Sequence, residues 1–320
     1  MTRASWRLVW WGAAIAVGLV ALHMLRGFAW AETHQVLLRT DLGLLVVALA
    51  VNLVSLVSKG WGWYLVLAPT TSARWWTAQE ATITGAAVAS LSGSVVGEAA
   101  RARFLARRNR VPWGPTIASI LYLRVVEGMG LALFLVAAPL LFPVPGPVRV
   151  AQAVAGAALV AVLVLSRVRW WRFVEVRLPE RLHAAARAVG EIGSLRRLPG
   201  PLLTAVVNWG TQWAAYYFTF RAMHLAVGSH AAFVALIAAN LVGLVKLPAG
   251  NLGVFQASIV VGLLPFGVPA ESAVAAGIVL QALQVLPVLA LAVALLGWRG
   301  FLQLRRGARP APAPVAGNPG

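Results

Sequence analysis

Residues 92–101 read Ser-Gly-Ser-Val-Val-Gly-Glu-Ala-Ala-Arg, and residues 244–253 read Leu-Val-Lys-Leu-Pro-Ala-Gly-Asn-Leu-Gly. Each stretch breaks an apolar region with glycine and places charge beside the break. A helix broken at membrane depth leaves backbone polar groups unpaired, so breaks persist only where protein or a wet cavity surrounds them. Paired breaks in the two halves of a membrane protein indicate a transport site. The predicted hinge or re-entrant residues are Gly93, Gly97, Pro248, Gly250 and Gly253.

The composition predicts a membrane protein. Of the 320 residues, 60% are hydrophobic and 11% are charged, whereas about a quarter of the residues in a soluble domain are charged. There is no cysteine, which excludes disulfides and thiolate chemistry. The five histidines are scattered without zinc-ligand spacing, so neither a metal site nor a cofactor is predicted.

The net charge of +18 does not indicate a nucleic-acid partner, because the basic residues cluster between apolar segments. That pattern is typical of cytoplasmic loops in membrane proteins. It predicts a multi-pass membrane protein with both termini in the cytoplasm. Basic loops next to a membrane also attract anionic lipid headgroups.

Apolar runs of about 20 residues are long enough to cross a bilayer. We predict an all-α bundle in residues 1–300, with two broken elements at about 77–98 and 231–268, entering from opposite sides. Residues 166–200 are predicted to be a basic cytoplasmic loop, either amphipathic at the interface or simply solvated, and residues 301–320 a disordered tail. The six predicted spans are 8–25, 42–67, 116–142, 148–165, 202–226 and 273–296.

Charged residues inside apolar segments are costly and often functional. Arg124 and Glu127 are three residues apart, on one helix face, and either bind a headgroup or lock helices together. Glu98 and Arg101 have the same spacing and are either part of a headgroup site or a topology signal with a helix cap. Arg101 and Arg103 are candidates for holding one phosphate.

The remaining polar positions have weaker signals. Lys246 precedes the second break and either meets phosphate, pairs with an acid or extends to the surface, while Lys59 is expected to snorkel from the inner end of its span. The neutral polar residues in apolar runs are mostly expected to form interhelical hydrogen bonds, with Gln281 and Gln284 on one face along a path. They include Asn208, Gln212, Asn240, Gln256, Gln281 and Gln284. No nucleophile elbow, phosphate loop or metal motif is present, so catalysis is not expected.

Gly97-Glu98-Ala99-Ala100-Arg101, a basic segment read as a loop, Arg124 in the next helix and Pro248-Ala249-Gly250-Asn251-Leu252-Gly253-Val254 occur in this order. Over about residues 8–297 the chain resembles the lysylphosphatidylglycerol synthase transmembrane region, or flippase-like, family. The resemblance implies a lipid-translocating protein of the bacterial inner membrane in which Glu98, Arg101 and Arg124 contact the headgroup. The aminoacyl-transferase domain of larger relatives has no counterpart in these 320 residues.

The chain also departs from the family pattern. The stretch Leu91-Ser92-Gly93-Ser94-Val95-Val96 stands where the family often has Asn and Pro before Gly-Glu. Gln256 stands where the family usually has an acid, and Gln281 or Gln284 lies where an arginine is common. Losing an acid and a base together is what a neutralised ion pair would look like.

Three functions remain open from the sequence. The first is a flippase for a phospholipid, glycolipid or lipid-linked intermediate, with residues such as Glu98, Arg101, Arg103, Arg124, Glu127, Lys246, Gln256 and Gln281 at the headgroup path. The second is a non-transporting subunit that presents lipid to a glycosyltransferase or another lipid-modifying enzyme. The third and least supported is an enzyme with Glu98 or Glu127 as base. Membrane lipids are the expected partners, and the oligomeric state is not determined.

Overall fold

A computed structural model describes residues 30–69, 71–109, 113–140, 142, 146–167, 197–243 and 253–307. These residues form helices, turns and short connections, without strands, as predicted. Short 3-10 turns at Ala138–Leu140 and Leu264–Phe266 follow two of the helices. The ten α-helices of the described part are α1 Trp30–Leu38, α2 Leu42–Leu67, α3 Trp75–Ser92, α4 Ser94–Asn109, α5 Trp113–Ala137, α6 Gly146–Arg167, α7 Pro199–Ala222, α8 Ser229–Gly243, α9 Val254–Leu263 and α10 Ala270–Gly307.

Three described helices are long and apolar enough to cross a membrane, namely α2, α5 and the Ala270–Gly297 part of α10. They coincide with three of the six predicted spans. The spans predicted at 148–165 and 202–226 fall on α6 and α7, which are helices of 22 and 24 residues. The first predicted span, 8–25, lies outside the described residues. The total of six therefore stays a prediction.

The centre of the bundle is the antiparallel pair α2 and α7. The Ser55 hydroxyl of α2 donates a 2.6 Å hydrogen bond to Oδ1 of Asn208 on α7. Further along α2, Gly62 lies against Thr204, which is nearer the start of α7. Glycine and short polar side chains let the two backbones approach closely, as is common between membrane helices.

The first predicted break is a tight helical hairpin. Helix α3 ends at Ser92, Gly93 has a φ of +93°, and α4 begins at Ser94. A positive φ is accessible mainly to glycine, so Gly93 permits the reversal. A Cβ added at Gly97 of α4 would lie 2.5 Å from the carbonyl oxygen of Gly85 on α3. The two helices therefore pack backbone to backbone through these glycines.

The basic segment after Glu98 is helical, which corrects the loop interpretation. Arg101, Arg103, Arg107 and Arg108 lie on α4, which continues to Asn109. Arginine, alanine and leucine favour helix, and no glycine or proline occurs until Pro112. Helix α10 continues to Gly307, into the predicted tail, through residues of good helix propensity such as leucine, glutamine and arginine. The remaining tail residues, 308–320, lie outside the described residues, so the disordered tail stays a prediction.

The second predicted break lies between α8 and α9, which also pack closely. A Cβ at Gly262 of α9 would lie 2.7 Å from Cα of Ala235 on α8. Gly253, with a φ of +83°, immediately precedes α9. Residues 244–252, and with them Lys246, Pro248 and Gly250, lie outside the described residues. Their predicted roles stay predictions.

The glycine contact in the first hairpin can be tested by a single methyl group. We expect Gly97→Ala to lower the unfolding temperature in detergent, because the new Cβ collides with backbone and overpacking costs about 1–3 kcal/mol. The matched control is Gly128→Ala on α5, where a Cβ meets nothing within 4 Å. Tryptophan fluorescence during heating measures both variants. An equal shift in the two would contradict a special role for the contact.

Candidate headgroup site

The two predicted charge pairs form a single cluster between α4 and α5. Arg124 donates from Nη1 to Oε2 of Glu127 at 3.0 Å and from Nη2 to Oε1 of Glu98. Arg101 Nη1 lies 3.7 Å from the other Glu98 oxygen. Glu98 therefore joins both arginines. The sequence predicted each pair along its own helix, but not that Arg124 would link them.

Of the two arginines in these ion pairs, Arg101 is the more deeply buried. It is 7% exposed, and its guanidinium carbon lies 3.9 Å from the ring centroid of Trp63 on α2. The Trp63 indole donates to the Ser119 hydroxyl at 3.0 Å, which fixes the ring. The Nε and Nη2 atoms of Arg101 have no hydrogen-bond partner among the described residues. Buried donors without partners are rare and require an explanation, such as an unseen ligand or water.

Arg103 does not join Arg101. Residues two apart on a helix do not share a face, so Arg101 is buried while Arg103 is exposed. The structure therefore separates the two arginines that were candidates for holding one phosphate together. Within the described cluster, the neighbouring cation is Arg124 of α5.

Lys59 is a member of the site that the sequence interpretation missed. It lies within α2, which continues eight residues further, to Leu67, about 12 Å at 1.5 Å per residue. Lys59 lines a narrow cleft together with Glu127 and lies within electrostatic reach of Arg101. The sequence feature that could have identified Lys59 as a site residue is a lysine within an apolar helix.

This cleft, which we call the first cleft, lies between α2, α5 and α7. Of its polar lining residues, Ser58, Lys59, Thr204 and Asn208 can donate hydrogen bonds to a phosphate or a hydroxyl group, whereas the Glu127 carboxylate can only accept them, for example from a hydroxyl. With Glu98, Arg101 and Arg124, the site contains three cations and two anions, a formal excess of one positive charge. The residues that line the cleft are Ser58, Lys59, Gly62, Leu123, Glu127, Pro201, Thr204, Ala205 and Asn208.

A separate neutral pair joins α9 and α10. Gln256 Nε2 donates to Oε1 of Gln281 at 2.6 Å, and the Gly253 backbone N–H donates to Oε1 of Gln256 at 2.8 Å. The side chains of Gln256 and Gln281 therefore contact each other directly. Asn240, in contrast, bonds within its own helix, from Nδ2 to the carbonyl oxygen of Leu236. In the described part of the chain, no cluster of three metal-ligating His, Asp or Glu residues occurs.

The link between α4 and α5 predicts energetic coupling between Glu98 and Arg124. We expect the two single variants Glu98→Gln and Arg124→Gln and their combination to deviate from additivity by at least about 0.5 kcal/mol in detergent unfolding. The control cycle pairs Glu98→Gln with Arg103→Gln, and we expect it to be additive because Arg103 is exposed on α4. Equal coupling in both cycles would contradict a specific bond.

The comparisons with known proteins agree with the helical, apolar architecture. Among curated proteins and among solved structures, the searches found no match to this chain. The family model described as "Lysylphosphatidylglycerol synthase TM region" matches residues 9–292, which is most of the 320 residues. Together with the apolar helices α2, α5 and α10, this match identifies a multi-pass membrane protein. The chain belongs to the lysylphosphatidylglycerol synthase transmembrane region family.

Proposed function

We propose that the protein binds the anionic headgroup of a lipid at the Arg101 cluster and moves that lipid between the leaflets of the bacterial inner membrane. The observation that carries the proposal is the buried Arg101 guanidinium with two nitrogens free of protein partners in the described residues. Glu98, Arg124, Glu127 and Lys59 surround it. The family membership supports the same class of ligand.

The energetics favour an anion at this position. Burying a charge without full hydrogen bonding costs several kcal/mol, and the Glu98 contact at 3.7 Å meets only part of the requirement. A guanidinium presents parallel donors that match the oxygens of a phosphate. A phosphate at the free Nε and Nη2 edge would satisfy both donors and balance the excess positive charge.

The arrangement also suggests a route from lipid to protein. The Arg124 side chain is 55% exposed, whereas Arg101 is buried and Lys59 faces the interior cleft. A headgroup could exchange contacts from Arg124 to Arg101 and then Lys59 while its acyl chains stay in lipid. The sequence has no nucleotide-binding loop, so we propose movement that is facilitated or coupled to an ion gradient.

Leaflet exchange in liposomes tests the proposal. We expect the unaltered protein to move a fluorescent phosphatidylglycerol probe, and Arg101→Gln to slow this movement at least tenfold, since one good charged hydrogen-bond set is worth about 1.5–3 kcal/mol. Arg101→Lys should restore the movement only in part, because lysine keeps the charge but lacks the parallel N–H donors of the guanidinium. Arg103→Gln is the matched control, with the same change at an exposed position of the same helix.

Two outcomes would overturn parts of this proposal. If folded protein binds phosphatidylglycerol but moves no probe under any imposed gradient, translocation is wrong and a subunit that presents lipid to a glycosyltransferase or another lipid-modifying enzyme replaces it. If Arg101→Gln and Arg103→Gln have equal effects, the headgroup site lies elsewhere.

A further inference from the structure

A second cleft in the described bundle is lined by residues that correspond to residues of the first cleft at a constant offset in residue number. Its lining includes Ala215, Tyr216, Leu280 and Gln284, together with Asn52, Gln212 and Leu283. The first cleft has Ser58, Lys59, Leu123 and Glu127 at positions 157 residues earlier. Each cleft also takes an asparagine from the opposite half, Asn208 in the first and Asn52 in the second. Four matched positions with one offset indicate an internal repeat.

The bonded pairs beside the clefts repeat in the same way. Arg124 and Gln281 differ by 157 in number, and their partners Glu98 and Gln256 differ by 158. The Arg124–Glu98 bond joins residues 26 apart, and the Gln256–Gln281 bond joins residues 25 apart. In both cases one partner lies on the second helix of a hairpin and the other on the next helix.

Whole helices follow the same correspondence, with α2–α5 matching α7–α10. Asn52 of α2 donates to the Leu283 carbonyl oxygen on α10, and Trp209 of α7, 157 positions later, donates to the Glu127 carbonyl oxygen on α5. Because α2 and α7 are antiparallel, the two units are related by a twofold axis across these helices. This is the arrangement of an inverted repeat, whose sites lie at the repeat interface.

The two clefts differ in charge. Lys59 and Glu127 of the first cleft correspond to Tyr216 and Gln284 of the second. Beside the clefts, Arg124 corresponds to Gln281. Tyr216 and Gln284 line the second cleft together, at the positions that match Lys59 and Glu127 in the first. Amides and phenols both donate and accept hydrogen bonds, as sugar hydroxyls do. A phosphate placed there would find no cation among the cleft's lining residues.

We propose that the second cleft, lined by Asn52, Gln212, Tyr216, Leu280 and Gln284, is a half-site for an uncharged, hydroxyl-rich headgroup such as a sugar. This inference rests on the proposed function for the lipid nature of the ligand. It assigns the two repeats different chemistry, with the anionic group at Arg101 and the neutral polar group at Gln284. Neither cleft has room for a headgroup between its lining side chains in this structure, so binding requires these side chains to move.

The test measures binding, so that it does not depend on translocation. Purified protein in phosphatidylcholine nanodiscs is titrated with monoglucosyl diacylglycerol and, separately, with phosphatidylglycerol, and bound lipid is counted by native mass spectrometry. We expect Gln284→Met to weaken the glycolipid about tenfold relative to phosphatidylglycerol, since the substitution keeps the volume and removes the amide. Gln152→Met on α6, away from both clefts, is the matched control and should change neither affinity.

A second variant keeps the test decisive if Gln284→Met does not fold. The double variant Gln256→Glu with Gln281→Arg restores charge at this repeat, and we expect it to shift the preference from glycolipid to phosphatidylglycerol. Free methyl glucoside is titrated as well. If the free sugar competes with the glycolipid, the cleft recognises the headgroup alone. If it does not compete, binding also requires the acyl chains.

The outcomes separate this inference from the proposed function. If phosphatidylglycerol binds and moves but folded Gln284→Met retains full glycolipid affinity, the second half-site is wrong and translocation stands. If glycolipid binding depends on Gln284 but no lipid moves, translocation is wrong and the half-site stands. If the unaltered protein binds glycolipid no better than phosphatidylcholine, the half-site is overturned.

Discussion

A buried guanidinium is the constraint on which the first half of the molecule depends. Arg101 lies on the inner face of α4, against Trp63, where water does not solvate it. A charge in such a place requires counter-charge and donors or acceptors nearby. Glu98 supplies part of this on the same helix, and Arg124 then holds Glu98 from α5. The cluster is therefore built up around one buried cation: Glu98 balances Arg101, and Arg124 positions Glu98.

Glycine makes this burial possible. Gly85 on α3 lies against Cβ of Arg101, and Gly97 on α4 lies against the backbone of α3. Any side chain at either position would push α4 away and move the guanidinium out of contact with Trp63. The same small residues that let membrane helices pack closely thus also set the depth of the charge. Packing and site geometry have a single origin in this hairpin.

The two repeats use one scaffold for two chemistries. In the first, charged side chains occupy the hairpin and the cleft, and in the second, glutamines and a tyrosine occupy the corresponding positions. The hydrogen-bonding geometry between the hairpin and the next helix persists when the charge is removed. An inverted repeat presents matching sites at its interface, and here the matched sites differ in the charge of the side chains that line them.

Much of this could be predicted from the sequence. Composition determined the membrane class, the glycine breaks at Gly93 and Gly253 marked both hairpins, and three-residue spacing predicted the Glu98–Arg101 and Arg124–Glu127 pairs. These are local properties, fixed by hydrophobicity, backbone conformation and helical periodicity. The helical character of the basic segment was missed, although its residues favour helix.

Tertiary structure decided which distant residues meet. The bond between Arg124 and Glu98, the place of Lys59 and Glu127 in one cleft and the stacking of Arg101 on Trp63 all depend on how α2, α4 and α5 pack. The two breaks that enter from opposite sides already suggested an inverted arrangement, but its residue-level correspondence was not visible in the sequence, because Lys59 and Tyr216, or Glu127 and Gln284, share no chemistry. Only their equivalent positions in two clefts relate them. The sequence by itself determined the helices and their breaks, whereas packing between helices determined the site, since side chains far apart in the chain become neighbours only in the folded bundle.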